Sequence, residues 1–155
     1  MSAIQRPSSG FSFEQLNPGL TVKTYGRTIT ESDLVTFLGF SGLRMPLFLD
    51  AHWAEHEGPF GARIAPGFMT ASISAGMLET VLGHEVLAGL AIEGLDFLAP
   101  VRLGDTIHTH VTVLERRLSS KPGRGIVTLE LSVVNQRGAT TLHYRSSVLL
   151  KTGSS

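Results

Sequence analysis

Residues 66–82 read PGFMTASISAGMLETVL. Phe68 or Met69, Ile73, Met77, Leu78 and Val81 recur at three- and four-residue spacings, the period of a helix with one apolar face. Ala71, Ser72, Ser74, Ala75 and Gly76 stand between them, so the helix carries little bulk and should lie close against another layer. Pro66 suits the first turn, where the amide hydrogen it lacks would be unpaired anyway, and Gly83 is the expected terminator.

After this helix the period changes to two. Strands are expected over residues 90–97, 106–115, 125–134 and 140–150. Ile107, Thr109, Val111 and Val113 alternate with polar neighbours, as do Val127, Leu129, Leu131 and Val133, so each strand should cover a core with one face. The joints are residues 100–105, 119–125 and 136–138, the last short enough for a hairpin. A small-residue helix followed by long antiparallel strands predicts an α+β fold, a curved antiparallel sheet wrapped around a central helix.

Upstream, a strand is expected from about Leu20 to Thr30. There Thr30 should cap a helix carrying Glu31 and Asp33 in its first turn and Leu34, Phe37 and Leu38 on its buried face. Gly39 or Gly42 should end it, and a loop is expected next, since Met45 precedes Pro46. Asp50 looks like the cap of a short helix, AHWAEHE, closed by Gly58 and Pro59. Residues 1–10 and 151–155 carry no pattern able to bury a face and are expected to be flexible.

At 155 residues and 42% hydrophobic, the chain suits one domain with one core. Thirteen basic and thirteen acidic residues cancel, leaving no field for phosphate backbone, so nucleic acid is not an expected partner. No apolar stretch approaches the roughly 20 residues that span a bilayer, and no signal-peptide pattern opens the chain, so a cytoplasmic protein without membrane attachment is expected. The absence of cysteine removes disulfides, thiolate metal sites and a thiol nucleophile.

Four segments stand in a particular order: ITESDLVTFLGFSG, PLFLDAHWA, FGARIAPGFM and FLAPVRLGDT. In that order and spacing, from about Leu20 to Val148, the chain resembles the MaoC-like, R-specific enoyl-CoA hydratase and dehydratase family of the hot-dog fold. The resemblance implies a single hot-dog domain over residues 1–155. It also implies an acyl-CoA or acyl-carrier-protein thioester as partner, and CoA only as part of the substrate, with no separate cofactor. Active members carry an aspartate and a histidine in a segment like SGDxNPLHxD. Here residues 41–50 read SGLRMPLFLD, with Leu43 at the aspartate position and Phe48 at the histidine position. Neither can move a proton, and each such group is worth about 10²–10⁴ in rate.

The resemblance also places the thioester carbonyl at Pro66, Gly67 and Phe68. The physical ground is that the first amides of a helix lack intrahelical partners and sit at its positive end. Gly67 would let the carbonyl approach; it would equally permit tight packing. Leu43 and Phe48 then either line an acyl pocket or pack in the core. Asp50 and His52 are the nearest ionisable replacements in sequence, although Asp50 also reads as a cap. His52 and His56, four apart, suit a solvated helix face better than a metal site, because a third ligand is missing. His108 and His110 suit an exposed sheet face. Three functions stay open: a lyase with displaced acid or base, a thioesterase, and a non-catalytic acyl-thioester binder or partner subunit. The thioesterase reading lacks an acid early in the central helix, whose only one is Glu79. A single curved sheet leaves edges uncovered, so a homodimer or higher homo-oligomer is expected.

Overall fold

The computed structural model describes residues 10–153. Two short strands, β1 (Thr21–Lys23) and β2 (Arg27–Thr28), and four long ones, β3 (Val86–Phe97), β4 (Thr106–Leu118), β5 (Arg124–Asn135) and β6 (Thr140–Lys151), form one antiparallel sheet. Their order is β1-β4-β5-β6-β3, with β2 also on β4. Alternation fixes the register: Val111 faces Leu131 and Val113 faces Leu129, all four buried. A slip of one residue would turn that whole row to solvent.

Helix α4 (Gly67–Met77) covers this face and buries Met69, Thr70, Ser74 and Met77. The expected helix to residue 82 is broken at Leu78. Its amide reaches the carbonyls of Ala75 and Gly76, and the Thr80 hydroxyl donates to the Met77 carbonyl at 2.9 Å. That tighter turn separates off α5 (Glu79–Leu82), and Gly83, at φ 61°, ends the unit.

Helix α1 (Glu31–Ser41) starts as expected: Thr30 Oγ1 accepts from the Asp33 amide at 3.2 Å, and Asp33 Oδ2 accepts from the Thr30 amide at 2.9 Å. Gly42, at φ 72°, ends it in the left-handed conformation that favours glycine. The expected loop over residues 43–49 instead contains a one-turn helix, α2 (Pro46–Leu49). Pro46 restricts Met45 to extended backbone, but Met45 is the cap residue, where extended backbone is required. Helix α3 (Ala51–His56) follows.

The ends need a correction. Gly10 is buried against Gly83, Lys151 closes β6, and the amides of Thr152 and Gly153 donate to the Gly123 carbonyl and Glu14 Oε1. Close packing at Gly10 and hydrogen bonds at residues 151–153 hold these residues without an apolar pattern. The expectation of flexibility for residues 1–9 and 154–155 falls outside the described residues. Among the described residues no helix is long and apolar enough to cross a membrane.

Candidate functional site

Pro66, in extended backbone, delivers the chain into α4 at Gly67. The Thr70 amide donates to the Pro66 carbonyl at 3.1 Å, closing the first turn. Among the described residues nothing accepts from the amides of Gly67, Phe68 and Met69. Three donors at the positive end of an eleven-residue helix are therefore available to an oxygen.

A cavity of about 420 Å³ lies against this helix start. Gly67 and Thr70 form one side; Leu47, Phe48, Phe97 and Leu142 are among the apolar walls. Among the described residues no side chain in the lining is ionisable, and Thr70 and Thr141 carry its only hydroxyls. Thr141 is already committed, donating to the Val133 carbonyl at 3.1 Å. Thr70 Oγ1 is buried and, among the described residues, has no partner.

Of the residues singled out from sequence, the structure brings Phe48 and Gly67 to this cavity. Leu43 is partly buried and packs on the core without lining it. Phe68 is 62% exposed and meets Phe97 edge-on, ring centroids 5.7 Å apart. Phe97 also covers Gly67, and a β-carbon at Gly67 would come within 2.2 Å of its ring. Close packing at Gly67 is thus present beside the free amides. Asp50 Oδ1 accepts from the Trp53 amide at 2.9 Å, so this carboxylate serves as the α3 cap. The His52 ring stacks on His56 with centroids 4.3 Å apart, and neither Asp50 nor His52 is in the lining.

His108 and His110 lie on the outer face of β4 with their Nε2 atoms 3.1 Å apart. Partial burial, then the Lys23 and His110 charges, pushes the His108 pKa down, favouring its neutral form. Among the described residues no group of three or more His, Cys, Asp or Glu is placed to hold a metal ion.

A different polar cluster fixes the loop behind the cavity. Asp105, almost fully buried, accepts from the Arg102 amide at 2.9 Å, from Gln136 at 2.8 Å and from Arg137 at 2.9 and 3.2 Å. Burial pushes its pKa up, and these bonds outweigh that to hold the carboxyl below its ordinary value. The LGD part of FLAPVRLGDT is therefore a structural anchor for the chain leading away from Phe97.

Sequence reasoning missed Thr70 and Phe97. Thr70 was within reach, since three residues after Gly67 it shares a helix side. Phe97 was not, because its placement depends on the register of β3 against β6, with Phe97 opposite Leu142.

Comparison with known proteins agrees with this architecture. Residues 13–135 match the MaoC like domain. A 3-hydroxybutyryl-CoA dehydratase from Methylorubrum extorquens is 40% identical over 106 residues, 66% of this chain. The match spans 64% of that relative's length and 30% of another curated relative's. A solved structure described as a monoamine oxidase regulatory protein from Archaeoglobus fulgius is 33% identical, with a TM-score of 0.82 over 93% of this chain and 96% of that one. A Mycobacterium tuberculosis protein with a double hotdog fold gives a TM-score of 0.85 at 23% identity, over 96% of this chain and 46% of that one, and so supports the fold alone. The fold is a hot-dog fold, and the chain belongs to the MaoC-like domain family.

Proposed function

We propose that this domain binds an acyl thioester with its carbonyl on the free amides of α4 and its acyl chain in the apolar cavity, without the hydration chemistry of the family's active members. One observation carries the reading: a cavity with the unpaired Gly67 amide at its edge and, among the described residues, no ionisable side chain in its lining. Amides aimed at an oxygen stabilise negative charge on it, and apolar walls favour an alkyl chain. Hydration needs a proton acceptor and donor as well; the resemblance puts Phe48 at the histidine position, and Phe48 lines the cavity. The likeness to a 3-hydroxybutyryl-CoA dehydratase supports a CoA or carrier-protein thioester as the ligand class. The lyase reading would need Asp50 or His52 to leave α3 for the cavity; the thioesterase reading lacks a carboxylate in its lining.

The test must separate carbonyl binding from the packing of Phe97 on Gly67. In a Phe97→Ala background the ring is gone, and a β-carbon at Gly67 can obstruct only the ligand. Adding Gly67→Ala there should weaken butyryl-CoA binding by about tenfold in calorimetry, one lost charge-stabilising contact. Unchanged affinity in the folded double variant would place the site elsewhere.

The same reading includes a homodimer. Strand β3 is an edge, unpaired on the side away from β6. Leu87, Leu90, Ile92 and Phe97 along it are each about half exposed. A long, proline-free, apolar edge is a template for pairing, and a second copy of β3 supplies the matching one. Leu90→Lys should shift sedimentation from dimer to monomer at micromolar concentration; a monomeric parent protein would contradict the pairing.

A further inference from the structure

We propose that His108 and His110 form a two-imidazole chelate for a divalent transition-metal ion, copper(II) the tightest of them, on the outer face of the sheet. None of the residues lining the cavity at the start of α4 belongs to β4, so metal binding here does not depend on an acyl ligand.

Strand geometry creates the pair. Residues two apart on a strand point to the same face, and the buried Ile107, Thr109 and Val111 turn His108 and His110 away from the core. Two imidazoles on such a face are free to swing apart into solvent. These two turn inward, with Nε2 atoms 3.1 Å apart and ring centroids 4.9 Å apart, so the nitrogens are the near edges of both rings. An ion bonded to both at about 2.0–2.1 Å would hold them at about 100°, between the right angle of a tetragonal site and the tetrahedral angle. In the free protein one ring donates an Nε2 proton to the other. Carrying that proton on Nδ1 of the same ring instead leaves two lone pairs for one ion, with no change in net charge.

The second histidine pair shows that close spacing alone does not make a chelate. His52 and His56 stack face to face, centroids 4.3 Å apart and planes 25° apart, and His56 Nδ1 is taken by the His52 carbonyl at 2.8 Å. Their nitrogens do not converge. Beside His110 the register places Lys23 on β1 and Ser132 on β5. Glu130, further along β5, lies 3.6 Å from His143 and 3.7 Å from Arg145 and is committed to them. Water therefore fills the ion's other positions, and the Lys23 charge opposes binding. Imidazole nitrogens completed by oxygen suit copper(II) and nickel(II), and of the first-row divalent ions copper(II) is held most tightly by a given set of donors.

The experiment is titration of the full chain with copper(II) chloride in a non-coordinating buffer near neutral pH. Calorimetry gives affinity and stoichiometry, and pulsed electron paramagnetic resonance counts the coordinated imidazoles. The parent protein should bind one ion per chain through two imidazoles. His110→Ala removes an exposed ring and leaves the core untouched. It should leave one imidazole on the ion and weaken binding at least about tenfold, because the second nitrogen binds at high effective concentration. His52→Ala with His56→Ala should change neither readout. Lys23→Glu reverses the opposing charge and should tighten binding by roughly tenfold after screening by salt. Equal affinity in the parent and His110→Ala, a single imidazole in the parent, or one ion per two chains would overturn the chelate. So would loss of binding in the His52 and His56 variant, which would move the site to α3.

Discussion

Thr70 and Ser74 are one turn apart on α4, both buried, both carrying a hydroxyl, and they have opposite fates. Ser74 Oγ lies 2.9 Å from Thr109 Oγ1 and 2.9 Å from the Tyr144 hydroxyl. The network continues through the Thr109 amide to Thr24 Oγ1 at 2.8 Å, pinning helix to sheet. Thr70 has nothing. Burial alone therefore does not distinguish the two hydroxyls; hydrogen-bond satisfaction does.

The contrast predicts a graded series of stabilities. Ser74→Val strips one partner each from Thr109 and Tyr144 and should cost about 3 kcal/mol in urea unfolding. A cost below about 1 kcal/mol would mean the network is not a fastening. Asp105→Asn, another fully satisfied buried group, should cost about 2 kcal/mol near neutral pH. The sign with pH follows from the lowered pKa of Asp105. Its contribution is complete above the unfolded carboxylate value of about 3.9 and is lost as pH falls through the lower folded value. The gap between parent and Asp105→Asn should therefore close as pH drops below about 4, and a gap independent of pH would remove the charge from the explanation.

Tyr144→Phe removes one member of the Ser74 network and should cost about 1 kcal/mol. Burial pushes the Tyr144 pKa up, while its Ser74 hydrogen bond pulls the other way. The tyrosine term is thus fully present below pH of about 10 and fades as pH rises through the folded value. Thr70→Val closes the series with the opposite sign. It should stabilise the free protein, and a loss of stability would place Thr70 with Ser74 and end the contrast.

How much of this was legible in the sequence follows from the range of the forces involved. The Thr30 and Asp50 caps were readable because a cap is completed within three residues. The inward rows of β4 and β5 were readable because alternation has a local period. Helix α2 is not legible in the sequence, because Pro46 ends the preceding helical pattern and also starts a turn. The break at Leu78 escaped because it depends on the Thr80 side chain competing for a backbone carbonyl. Strand β3 starts at Val86 rather than near Leu90, since bulges at residues 86–88 and 89–91 let it pair with β6 without strict alternation. Of the residues that the segment resemblance singles out, Phe48 and Gly67 line the cavity, whereas Leu43 packs outside it. Thr70's lack of a partner depends on residues far off in sequence, which no local reading supplies.

On the proposed function the cavity binds an acyl thioester and, among the described residues, has no group to move a proton within it. Proton NMR of crotonyl-CoA with this protein tests both halves in one sample. The account predicts that the vinyl resonances broaden or shift on adding protein, while conversion to 3-hydroxybutyryl-CoA stays at least about 10²-fold slower than with an active hydratase run alongside. Unperturbed vinyl resonances at saturating protein, or 3-hydroxybutyryl signals growing at an ordinary enzymatic rate, would contradict it.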